Sequence, residues 1–232
     1  GHNHQGNLKT AMEMIRIAAN NGANAVKFQK RDNQTLFTKA LYNKPYDNEN
    51  SFGLTYGEHR EFLEFDWNQY LALKECARKF NVDFMCTAFD FKSVDFLEKL
   101  GITTYKVASG DLTNTPLLDY IARKKKPVFL STGASTLEEI HMAYDTILKH
   151  HDQLCLMHTT CTYPTDYADL NLRAIITLKN EFPKALIGYS GHDNGILAAV
   201  LAYNLGAVVI EKHFTLNRSS KGTDHNFSLE PE

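Results

Sequence analysis

The sequence predicts an α/β fold of the TIM (β/α)8 barrel kind. Three observations carry that expectation. Short apolar segments begin near residues 25, 83, 104, 127, 154, 186 and 208, and nearly every pair is separated by one segment of helical periodicity. Polar and ionisable residues gather at the C-terminal ends of these segments, where parallel α/β folds assemble their sites. No GxGxxG fingerprint occurs, which counts against the runner-up, a doubly wound sheet. A strand placed ahead of Gly1 completes eight, and 232 residues approach the roughly 250 of such a barrel.

The elements follow in order. Leu8, Ala11, Met12, Ile15, Ala18 and Ala19 recur at helical spacing, and Gly22 closes that helix. Ala25–Gln29 is a strand whose Lys27 and Gln29, two apart, share one side. Residues 30–66 break the rhythm, and a loop of that length is functional or carries short elements of its own. Within it Tyr56-Gly-Glu-His-Arg60 opens a short helix, and His59 is expected at the surface. Asp66 caps a helix over 67–80, 83–87 is a strand, and 93–100 is a helix closed by Gly101. After the strand 104–109, Thr115 caps and Pro116 opens a helix. The strand 127–131 leads to a helix with Ser135-Thr-Leu-Glu138 as its capping box. Strand 154–158, helix 172–182, strand 186–189, helix 195–205 and strand 208–213 complete the alternation, the last reading as buried on both faces.

The chain opens on a polar loop, Gly1-His-Asn-His-Gln-Gly6, that a strand should precede, and stops at Glu232 where a helix should follow. The expectation is one catalytic barrel domain over residues 1–232, cut short of its first strand and last helix. Hydrophobic residues at 43%, charged residues at 22% and a net charge of -2 describe a soluble globular protein with no electrostatic case for nucleic acid or an anionic membrane. No segment reads as a membrane span or secretory leader. Cys76, Cys86, Cys155 and Cys161 form no CxxC pair, so reduced thiols and a cytoplasmic location are expected, with Cys86 and Cys155 acting as small hydrophobes in strands.

The strand ends supply Lys27 and Gln29, then Thr87, then Lys106, Ser109 and Asp111. Ser131 and Thr132, Cys161 and Tyr163, Ser190 and His192, and finally Glu211 and His213 follow. Lysines among hydroxyls and glycine-flanked amides suit a small anion bearing phosphate and carboxylate. His192 and His213 on neighbouring strand ends, with Glu211 near, are candidate ligands for a metal ion. Other readings fit the same residues. Lys106 alone serves a Schiff-base aldolase on this fold, either histidine alone serves as a hydrogen-bonded core residue, and Ser131-Thr-Gly133 serves as a turn before a capped helix.

Asn3-His-Gln-Gly6, Lys27-Phe-Gln-Lys30, Tyr105-Lys-Val-Ala-Ser-Gly110, Leu130-Ser-Thr-Gly133, Tyr189-Ser-Gly-His192, Glu211-Lys-His-Phe-Thr215 and Lys221-Gly-Thr-Asp-His225, in that order, resemble the sialic acid synthase family over essentially the whole chain. The resemblance implies a barrel followed by a small antifreeze-like domain, which this chain lacks, and a domain-swapped homodimer in the full-length protein. It implies condensation of phosphoenolpyruvate with an N-acetylated hexosamine, N-acetylmannosamine or its 6-phosphate, to a nonulosonic acid with release of phosphate. Legionaminic or pseudaminic acid synthesis is the alternative within the family. Lys27, Thr87, Lys106, Ser109, Ser131 and Ser190 are thereby expected to hold phosphoenolpyruvate, and Gln29, Tyr163 and Asp224 to contact the sugar. His192 and His213 are expected to bind Mn²⁺, Co²⁺ or Mg²⁺. Cys161 stands where relatives often carry Asn or Ser, and the family's first-strand glutamate and the partner's arginine are missing. The isolated chain is therefore expected to be inactive or weakly active.

Overall fold

The computed structural model describes residues 2–231; Gly1 and Glu232, where the sequence reading places the cut ends, lie outside them. The chain divides into two compact units. One comprises the residues up to Ile102, Phe214–Asn226 and those from Glu230; the other comprises Thr103–His213 and Phe227–Leu229.

The first unit holds α1 (Leu8–Asn20), β1 (Ala25–Lys30), α2 (Asn33–Leu36), α3 (Lys39–Tyr42), α4 (Tyr56–Leu63), α5 (Trp67–Lys79), β2 (Asp83–Ala88) and α6 (Phe91–Leu100). The Asn7 side chain caps α1 by accepting from Thr10 N–H, and α1 packs on α5 with Ala11 and Ile15 buried. Asp66 and Gln69 form a reciprocal capping box on α5. Gly101 ends α6 at φ +74°, a backbone that favours glycine. β1 and β2 pair in parallel with Gln29 opposite Thr87. The irregular stretch after β1 carries its own short helices α2 to α4. There the surface expectation for His59 fails, for it is buried. Its Nδ1 accepts from Phe52 N–H at 3.2 Å, and its ring lies 4.6 Å from that of Tyr46. A small aromatic cluster needs a flat, half-apolar filler, and neutral imidazole supplies one. Burial, with Arg60 beside it, pushes the His59 pKa down to about 4.

The second unit holds β3 (Tyr105–Val107), α7 (Thr115–Ala122), β4 (Val128–Ser131), α8 (Leu137–Leu148), β5 (Leu154–His158), α9 (Ala174–Glu181), β6 (Leu186–Gly191), α10 (Leu197–Asn204) and β7 (Val209–Lys212). Its strands pair in parallel in chain order from β3 to β7, each crossover made by one helix. Tyr105, Val107, Leu130 and Leu156 are fully buried between layers. A buried apolar side chain of that size contributes roughly 1.5–3 kcal/mol by leaving water.

Three local expectations shift. The cap of α7 is Asn114, whose side chain accepts from Leu117 N–H, with Pro116 inside the first turn. The α8 capping box is Thr136 with Glu139, one residue later than the spacing indicates. Adjacent hydroxyls followed by adjacent glutamates satisfy the motif in two registers, and the backbone selects the second. β7 is not buried on both faces: it is the edge of this unit's sheet, with Ile210 39% exposed and Val208, just before the strand, 63% exposed. Among the described residues no helix is long and apolar enough to cross a membrane.

Candidate active site

The β6–β7 register sets Ser190 opposite Glu211 and Gly191 opposite Lys212. His192 and His213 each follow one residue beyond these strands. Their rings stand 5.4 Å apart between centroids at 65°. The buried Phe227 lies 5.0 Å from the His213 ring, and Tyr163 lies 4.1 Å from the His192 ring. His192 Nδ1 sits 2.8 Å from the Thr160 carbonyl. A carbonyl only accepts, so Nδ1 carries the proton and Nε2 the lone pair, the tautomer a metal ligand needs. Two imidazoles therefore fit a divalent cation, with oxygen donors completing its shell. Among the described residues there is no group of three or more His, Cys, Asp or Glu so placed that it could hold a metal ion. Ser190 Oγ donates to Glu211 Oε1 at 3.2 Å.

An oxygen-seeking cradle lies at the ends of β3 and β4. Lys106 is 3% exposed, and its Nζ donates to Ser131 Oγ at 2.5 Å and to the Val107 carbonyl at 3.1 Å. Gly133 N–H donates to Ser109 Oγ at 3.0 Å, leaving that hydroxyl's proton for an oxygen acceptor. A side chain at Gly133 would meet Cys161 Sγ, with Ser109 Oγ 2.9 Å away, so glycine is what lets these groups converge. A separate cavity of about 690 Å³ lies between the ends of β4 and β5 and helices α8 and α9, bordered by Thr132, Ser135, Ile140, His158, Leu178 and the exposed Cys161; Lys106, Ser109, Ser131 and Gly133 do not line it. Cys155 is buried within β5, opposite Phe129 of β4, and burial raises its thiol to about 12. It is the inert filler expected of it.

In the first unit, Lys27 Nζ donates to Thr87 Oγ1 at 3.3 Å across β1 and β2. Gln29 Oε1 accepts from Arg31 Nη2 at 2.8 Å. Cys86, under this pair, is fully buried and raised to about 12. Asp224 sits on a loop pinned to the same unit, where Gln5 Nε2 donates to the Lys221 carbonyl at 2.7 Å and Gly222 N–H donates to Asn50 Oδ1 at 2.9 Å. Asp224 Oδ1 accepts from Thr223 Oγ1.

The sequence reading missed Phe227, whose packing on the histidines is visible only in three dimensions. It also missed the trio Tyr189, Asp193 and Lys212. Lys212 Nζ reaches Asp193 Oδ1 at 2.9 Å, and Tyr189 Oη donates to the same oxygen at 2.7 Å. Burial pulls the Lys212 pKa down against the opposing pull of Asp193. The available signal was opposite charges directly flanking the two histidines.

A profile of the NeuB family matches residues 14–232. The chain belongs to the NeuB family. This NeuB-family chain is 42% identical over its whole length to N-acetylneuraminate-9-phosphate synthase of Drosophila melanogaster, and spans 63% of that protein. It is 41% identical to N,N'-diacetyllegionaminic acid synthase of Legionella pneumophila, spanning 67% of it. The crystal structure of N-acetylneuraminic acid synthetase from Leptospira borgpetersenii, in complex with citrate, matches all of the chain with a TM-score of 0.88 at 35% identity, covering 76% of that chain. The parallel strands alternating with helices that the sequence predicts are thus shared with that enzyme.

Proposed function

We propose that the protein condenses phosphoenolpyruvate with an N-acetylated hexosamine to a nonulosonic acid and inorganic phosphate, working as a homodimer in the cytoplasm. The observation that carries this reading is the pairing of two adjacent imidazoles with the cradle of Lys106, Ser131, Ser109 and Gly133 on one parallel sheet.

Lys106 neutralises the donor anion, and its bond to Ser131 holds both groups where phosphate or carboxylate oxygens bind. Ser109 presents its hydroxyl proton to the same donor. Tyr163, packed beside His192, is assigned to the sugar. His192 and His213 hold the divalent metal, Mn²⁺, Co²⁺ or Mg²⁺. When bound, that cation supplies Lewis-acid polarisation of the sugar carbonyl, worth several kcal/mol. C3 of the enol bonds to the aldehyde carbon, which leaves C2 as an oxocarbenium. Water adds at C2, and cleavage of the C2–O bond expels phosphate. Phosphoenolpyruvate, aldehyde and water thus balance the nonulosonic acid and phosphate. Glu211, held by Ser190, orients that water.

Relatives at 42% and 41% identity make different nine-carbon acids, so the sugar is chosen by assay. Full-length protein with phosphoenolpyruvate and a panel of N-acetylated hexosamines, free and 6-phosphorylated, should release phosphate with one sugar class and stop with chelator. No phosphate release with any member overturns the reading.

A further inference from the structure

We infer that Asp193 and Lys212 are positioning residues, a buried ion-pair clamp that sets the separation of His192 and His213. The inference rests on the metal reading above and concerns how the protein builds that pair.

Asp193 follows His192 directly, and Lys212 precedes His213 directly. A link between the two charged residues is therefore a link between the two histidine-bearing backbones. The link is many-stranded. Lys212 Nζ contacts both the carboxylate of Asp193, at 2.9 Å, and its backbone carbonyl, at 2.5 Å. An ammonium gripping side chain and main chain of one residue fixes that residue's backbone, not only its rotamer. Tyr189, from within β6, donates to the same carboxylate oxygen, and the side chains of Lys212 and Asp193 are 6% and 0% exposed. The loop from β5 adds a brace: Thr165 N–H donates to the His192 carbonyl at 3.1 Å, and Thr165 bridges to Asp193 as a short parallel pairing.

The local sequence is cut to admit this clamp. Gly191 stands opposite Lys212 in the register, and a Cβ there would fall 2.5 Å from Asp193 Oδ1 and 2.5 Å from the Tyr189 ring. Energetics point the same way. Desolvating two charges offsets most of their attraction, and an apolar pair of equal volume commonly stabilises a core as well or better. Stability alone does not call for an ion pair at this place. Fixing two strand ends at one spacing does, because charge and hydrogen-bond geometry tolerate less drift than apolar contact.

The test replaces the clamp without leaving a buried charge, using the full-length protein. Tyr189→Phe/Asp193→Leu/Lys212→Met is compared with the unaltered protein and with Lys212→Arg, by thermal melting and by calorimetric titration with MnCl2. The clamp predicts that the triple variant melts within a few degrees of the unaltered protein but binds Mn²⁺ about 10-fold more weakly, the usual size of an indirect effect on a metal site. Lys212→Arg, which keeps the pair, should recover most of the affinity. Unchanged Mn²⁺ affinity in a folded triple variant overturns the clamp. Asp193→Asn, which keeps the hydrogen bonds and removes the ion pair, decides the matter if the triple variant does not fold: unchanged affinity in it overturns the clamp equally. Absence of Mn²⁺ binding in the unaltered protein overturns the metal reading, and the clamp with it.

Discussion

The imidazole of His192 meets that of His213 edge-on, 5.4 Å between centroids, with the His192 Nδ1 proton directed to the Thr160 carbonyl. Two rings so arranged on neighbouring strand ends, one with its tautomer fixed, are the pair we propose as ligands of a divalent cation.

His213→Ala should abolish Mn²⁺ binding in a calorimetric titration and lower turnover at least 100-fold. His213 sits past the end of β7 and is only partly buried, so the melting temperature should move by a few degrees at most. Mn²⁺ affinity retained in this variant would return His213 to a structural role.

Gly133→Ala tests the oxygen cradle. The new methyl meets Cys161 Sγ and crowds Ser109 Oγ and the Thr159 carbonyl, so overpacking should cost about 1–3 kcal/mol and raise the KM for phosphoenolpyruvate more than it lowers kcat. Gly133→Ala/Cys161→Ala removes the nearest obstacle and should recover part of the loss. Steady-state kinetics with urea unfolding read both quantities.

Acid should loosen the fold before it titrates carboxylates. Burial depresses His59 to about 4 and His4 to about 3 from an ordinary 6.5. The unfolded chain then binds more protons than the folded one below pH 6.5, so stability is full above that value and is lost progressively as pH falls toward 4. Melting curves from pH 7.5 to 4.5 should show the midpoint falling below 6.5, and His59→Gln should flatten that slope. A midpoint independent of pH over this range would contradict the burial of neutral histidines.

Much of this architecture was legible in the residues, and what was hidden has identifiable causes. Strands such as Leu154–His158 announce themselves because a parallel sheet buries both faces. The histidine pair was legible because each ring follows its strand directly. Val208 and Ile210 misled because an apolar run looks the same at a sheet's edge as at its centre. His59 misled because burial there depends on Phe52 and Tyr46, brought in by a loop with no period to read. The clamp was hidden because pairing Asp193 with Lys212 requires the β6–β7 register, which a one-residue slip would destroy.

The most direct test of the central claim follows the reaction by ³¹P and ¹³C nuclear magnetic resonance. Full-length protein is supplied with phosphoenolpyruvate, Mn²⁺ and the N-acetylated hexosamine that the panel selects. Inorganic phosphate and a nonulosonic acid should form in equal amounts, with no free pyruvate and no borohydride-trapped adduct on Lys106. Carbon–carbon bond formation from pyruvate through a trapped Lys106 imine, indifferent to chelator, would contradict that claim.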